Sequence, residues 1–146
     1  MSSTEAGPRR FARILIVEDN QADVDIIRLA LEDKPMEFSI QVVRDGETAM
    51  RLLDDMDADE SIPCPDVILL DINVPRRDGF AVLRRIRSGD RRRETRVVML
   101  SSSERPSDVK QSEELGAQLY FRKPLNLDDF LKIGDVVIDL IPHASR

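Results

Sequence analysis

The chain has 146 residues, 41% of them hydrophobic, enough for one ordinary globular domain whose core needs no disulfide or structural metal. A net charge of −6 argues against a broadly basic nucleic-acid surface, and a lone cysteine, Cys64 between Pro63 and Pro65, excludes an intrachain disulfide and has no metal-ligand spacing around it. No stretch approaches the roughly 18 apolar residues of a membrane span, and the polar start has no signal-peptide core, so a cytoplasmic location in a reducing compartment is expected.

Residues 1–10 read as a disordered segment ahead of a domain over 11–141, with 142–146 as a tail. Phe11 to Val17 is a short apolar, β-branched run typical of a buried strand, and it ends on Glu18-Asp19-Asn20. Helical spacing from Gln21 to about Asp33 is stopped by Pro35; Phe38 to Val43 reads as a second strand, Asp45-Gly46 as a turn and Glu47 to Asp55 as a helix. An acidic, proline-broken loop leads to the most apolar strand, Asp66 to Leu70, which ends on Asp71. A helix from about Asp78 to Arg87, an arginine-rich loop and a strand from Arg96 to Leu100 follow, ending in Ser101-Ser102-Ser103. Pro106 opens a helix to about Leu115, Gly116 suits its C′ position, Gln118 to Arg122 is a fifth strand, and Asn126 caps a last helix that runs to about Ile141. Five strands alternating with five helices predict an α/β fold, a parallel sheet with helices on both faces.

In such a sheet, ligands sit beyond the carboxyl ends of the strands. Those ends carry Glu18-Asp19, Asp71 and Ser101, and Lys123 follows the fifth strand. Three carboxylates at close range repel one another, so either their pKa values rise or a cation neutralises them, and Mg²⁺ is the economical answer: it is hard, takes one or two carboxylates and keeps positions open for a phosphoryl oxygen. Asp19 and Asp71 are the expected ligands. The Asp71 carboxylate could then attack a phosphoryl donor, with Lys123 and Ser101 receiving the phosphoryl oxygens. A cis bond between Lys123 and Pro124 would aim the ammonium inward.

With those residues in that order and spacing, together with Asp71-Ile-Asn-Val-Pro75, Asp78-Gly79 and Lys123-Pro124, the chain resembles response-regulator receiver domains of two-component signalling from Arg13 to about Ile141. The resemblance implies a flavodoxin-like fold with strand order 2-1-3-4-5 and Asp71 as phosphoacceptor. It implies Mg²⁺ on Asp19, Asp71 and the backbone carbonyl of Asn73, with Glu18 acting through water, and Tyr120 as the aromatic that turns inward when Ser101 moves. Glu18 and Ser101 are mild departures, since many members carry Asp and Thr there. The Glu18-Asp19 pair, Arg44-Asp45-Gly46, the acidic loop before Asp66 and the lack of an output domain resemble the small regulators paired with bacterial phytochromes. A phytochrome-type histidine kinase is therefore the expected phosphoryl donor. Slow autodephosphorylation is expected, without enzymatic turnover.

Ala22, Ile26 and Leu29 form an apolar surplus on the first helix beside the acidic residues, the expected kinase face. On the last helix, Leu127, Phe130, Leu131, Val137, Ile138 and Ile141 supply the core stripe; Ile133, Val136 and Leu140 project elsewhere, which predicts a homodimer through them. The segment Arg84 to Arg96 lacks interleaved aromatics and has acidic neighbours, so it reads as a solvated face or an acidic-protein contact, with no nucleic-acid role. His143 lies in the tail without a partner motif. A haloacid-dehalogenase-type hydrolase needs a titratable Asp two residues after the nucleophile, where this chain has Asn73. A flavin carrier needs a phosphate-binding loop after Val17, which is missing. An interaction protein with a dead site is disfavoured by the intact set Asp19, Asp71, Ser101 and Lys123.

Overall fold

Aliphatic and β-branched residues in unbroken runs form strands that are buried on both faces, and these runs build the centre of the molecule. The structure is a computed structural model describing residues 11–141; the expected N-terminal segment, the tail and His143 lie outside the described residues. Strands β1 (Phe11–Val17), β2 (Glu37–Val43), β3 (Val67–Asp71), β4 (Arg96–Ser101) and β5 (Leu119–Arg122) form one parallel sheet in the order β2-β1-β3-β4-β5. This is the predicted order. Every residue of β3 is buried.

Side chains alternate between two cores. On one face Ile14, Ile16, Leu69 and Val98 pack against helix α1 (Gln21–Glu32) and the C-terminal helices. On the other, Leu15, Val17, Ile68, Leu70 and Met99 pack against α2 (Gly46–Ala58) and α3 (Gly79–Ser88). Helix α4 (Pro106–Glu114) lies beside β5, and Gly116 after it adopts a φ of 96°. Asn20, Asp45, Asp78 and Asn126 each cap a helix with a side-chain oxygen.

Two expectations are corrected. The last helix is two pieces, α5 (Leu127–Phe130) and α6 (Ile133–Leu140), separated by a tighter turn in which Gly134 donates to the Leu131 carbonyl at 3.1 Å and Asp135 to that of Lys132 at 3.0 Å. Ile133 is fully buried with Val137 and Ile141, while Val136 and Leu140 are half-buried against the same core. Of the expected dimer stripe, Ile133 is thus internal while Val136 and Leu140 keep part of their surface exposed, and Leu127, expected inside, is half exposed.

The arginine-rich segment is the second correction: much of it binds the protein itself. Arg87 donates to the carbonyls of Gly116 and Thr95 at 2.8 Å, and Arg91 donates to those of Met56 in the last turn of α2 and of Asp59, Glu60 and Ile62 just beyond it. Arg92 is wholly buried in a 3-10 turn over Asp90–Arg92, paired with Asp57 and bound to the carbonyls of Arg85 and Ile86.

Candidate functional site

Parallel pairing brings the carboxyl ends of β1, β3, β4 and β5 to one edge of the sheet. Asp71 closes β3, 6% exposed, and Ser101 closes β4, fully buried. Glu18 follows β1, its N–H bound to the Val43 carbonyl at 3.0 Å, and Lys123 follows β5, its N–H bound to the Ser101 carbonyl at 2.8 Å. Each functional side chain is thus fixed by a backbone ladder. Gly79 lets the β3–α3 loop close over the site: its N–H donates to Ile72 at 2.7 Å, and a Cβ there would lie 2.6 Å from the Asp71 carbonyl oxygen.

Asp71 Oδ1 accepts from the Asn73 N–H and Oδ2 from Lys123 Nζ, both at 2.8 Å. The ammonium also lies 2.6 Å from Glu18 Oε1 and 2.9 Å from Asp23 Oδ2. Burial works against its charge, yet bonds to Asp71, Glu18 and Asp23 hold its pKa above the ordinary lysine value. All peptide bonds among the described residues are trans, Lys123–Pro124 included, so the ammonium points inward without the cis bond considered above.

Carboxylate oxygens of Glu18, Asp19 and Asp71 lie within 4.8 Å of one another. Asp19 is exposed and Glu18 fully buried. Glu18 Oε2 accepts from the Asn20 N–H at 3.1 Å, but Oε1 makes no aligned hydrogen bond, its lysine contact being ionic only. Burial, helped by Asp71, pushes the Glu18 carboxyl up to about 7. Three converging carboxylates, an all-oxygen donor set, fit a hard divalent cation.

Ser101 Oγ accepts from the Ser103 N–H at 2.9 Å, and the Tyr120 hydroxyl donates to the Ser103 carbonyl at 2.9 Å, so both expected switch residues hold the same short segment. Tyr120 is half-buried. On α1, Ala22 is exposed, Ile26 half-buried and Leu29 half exposed. Sequence reasoning missed two neighbours. Asp23, one turn past Asp19, meets Lys123; and Leu125, fully exposed, joins Ile26 and Leu127 along a groove that also reaches Lys123. The signal for Asp23 was its place in the first turn of α1, facing the strand ends.

A doubly wound parallel sheet whose carboxyl edge carries an acidic trio and a partly buried lysine defines the receiver class of signalling domains. The chain belongs to the response regulator receiver domain family, which it matches over residues 14–134. It is 35% identical over 131 residues to response regulator Rcp1 of Synechocystis sp., covering 90% of this chain and 88% of Rcp1. Among solved structures it is similar to the phosphorylated cyanobacterial phytochrome response regulator RcpA (TM-score 0.80, 34% identity, 90% of this chain and 94% of that one). It is also similar to the Mn²⁺-bound form of Rcp1 (0.79, 32%, 90% and 99%) and to the bacteriophytochrome response regulator RtBRR (0.72, 38%, 92% and 81%). None of the described helices is long and apolar enough to cross a membrane.

Proposed function

We propose that this chain is a response regulator that accepts a phosphoryl group on Asp71 from a histidine kinase in a Mg²⁺-dependent reaction. The observation that carries this reading is the Asp71 carboxylate within 4.8 Å of the Glu18 and Asp19 oxygens, with the Lys123 ammonium 2.8 Å from Asp71 and 2.6 Å from Glu18. An Asp71 oxygen forms a bond to phosphorus as the phosphorus–nitrogen bond of a phosphohistidine breaks, its electron pair leaving with the imidazole. Asp19, Asp71 and the Asn73 carbonyl would hold Mg²⁺, with Glu18 acting through water; bound there, the ion supplies the charge that lets a carboxylate approach an anionic donor.

Lys123 and Ser101 receive the charge on the phosphoryl oxygens. For Ser101 to turn toward them, its Oγ must leave the Ser103 N–H, and the Ser103 carbonyl is what holds the Tyr120 hydroxyl. A shift of this segment therefore frees Tyr120 to turn, which changes the surface beside β5. Asn73 cannot serve as a second acid and base, so the phosphoryl group persists as a signal and is lost slowly.

The kinase docks on Ala22, Ile26 and Leu29 with Leu125 and Leu127 across the groove, an apolar face next to Lys123. Likeness to RcpA and RtBRR supports a phytochrome-type kinase as the partner. Incubation with acetyl phosphate and Mg²⁺ followed by intact-mass measurement should give a phosphoryl adduct on the wild type and none on Asp71→Asn; equal labelling of the variant would refute the assignment.

A further inference from the structure

One carboxylate at this edge has no part in the chemistry above. Asp23 sits in the first turn of α1, and its Oδ2 lies 2.9 Å from Lys123 Nζ, the two side chains being only 17% and 13% exposed. Groups so little exposed are weakly screened by solvent and salt. Asp23 stands outside the converging trio of Glu18, Asp19 and Asp71. Its backbone is fixed by the cap, since its N–H donates to Asn20 Oδ1 at 3.1 Å.

The resting ammonium thus has three carboxylate neighbours, and two of them change once the cation and the phosphoryl group are in place. Asp71 becomes an acyl phosphate and loses the carboxylate charge that draws Lys123; Glu18 belongs to the oxygens that a divalent cation neutralises. Asp23 alone keeps both its charge and its contact. The incoming phosphoryl group, itself an anion, meets an ammonium already held by a rival.

Resting on the phosphoacceptor reading of Asp71, we propose that Asp23 restrains Lys123 in the resting protein and that the phosphoryl group must take the ammonium from it, so that Asp23 sets how readily Asp71 is phosphorylated. Competition for the ammonium and repulsion between Asp23 and the phosphoryl oxygens act in the same direction. Asp23 is a positioning residue, acting through Lys123.

The test uses the full chain at saturating Mg²⁺ with beryllofluoride as the phosphoryl mimic. Asp23→Asn should bind it about fivefold more tightly than the wild type, the effect of removing one nearby charge, while Asp23→Glu should behave as the wild type does. Carbon-13 relaxation of Lys123 Cε in the resting protein supplies a readout that a role in helix stability would not move. Its order parameter should fall in Asp23→Asn while the α1 amides stay unchanged. Binding by Asp23→Asn that is equal to or weaker than wild type, or an unchanged Lys123 Cε, overturns the restraint and leaves the phosphoacceptor reading standing. Wild-type binding by Asp71→Asn removes that reading and the restraint with it.

Discussion

Arg92 carries its charge with no exposed surface, and the Asp57 carboxylate, 30% exposed, is its only anionic partner among the described residues. Arg85 shares the same carboxylate at 2.5 Å and reaches Asp54 at 2.8 Å. Backbone carbonyls satisfy the guanidinium's geometry but not its charge. Asp57→Asn should therefore cost about 3 kcal/mol in urea unfolding, the price of leaving a buried charge unpaired, and Asp57→Asn with Arg92→Met should recover most of it. Bonds from Arg92 and then Arg85 hold the Asp57 carboxyl below its ordinary value of 3.8. A depressed carboxyl stabilises the fold fully above its unfolded pKa, and the contribution is lost as pH falls through the folded one. Unfolding measured from pH 5 down to pH 2 should show this loss in the wild type and a flatter profile in Asp57→Asn. Asp71, Asp19, Ser101 and Lys123 were legible in the sequence because each ends an apolar run. Asp57 and Arg92 were not, because their pairing spans 35 positions and two helices and leaves no local pattern.

At the scale of elements, the strands were readable because each is a continuous apolar run between turn residues, and Asn126 marked a helix start as its cap. The C-terminal helix was read as one because its apolar residues fit a single helical period over that length. The decisive contact is tertiary. Gly134 brings α6 against α1 so closely that a Cβ would lie 2.7 Å from the Ala30 carbonyl oxygen, and the tighter turn before it makes that approach. Within a helix, Gly→Ala ordinarily stabilises by about 0.5–1 kcal/mol. Here the sign should reverse: Gly134→Ala should destabilise by about 1–3 kcal/mol in thermal unfolding, because the obstacle is backbone and cannot rotate away. A gain in stability would show that α6 can lift from α1 freely.

For the whole molecule, sheet order does the work of assembly. Placing β1 and β3 side by side sets Glu18 near Asp71, and β4 between β3 and β5 lets Lys123 reach back across the Ser101 end. The alternation of elements gave the parallel sheet, and the resemblance gave its order. Surface assignments were less legible, since the sequence carries the charge of Arg84 to Arg96 but not where each guanidinium points. That segment has a consequence for chain cleavage. Trypsin needs an arginine whose backbone can extend into its cleft, and the backbone around Arg87, Arg91 and Arg92 is held by those side chains' own bonds to carbonyls on neighbouring elements. Despite its arginine content, the native protein should resist brief trypsin treatment after these three residues. Fragments ending at Arg91 or Arg92 should emerge once Asp57→Asn loosens the turn, a readout that mass mapping of the digest would give directly.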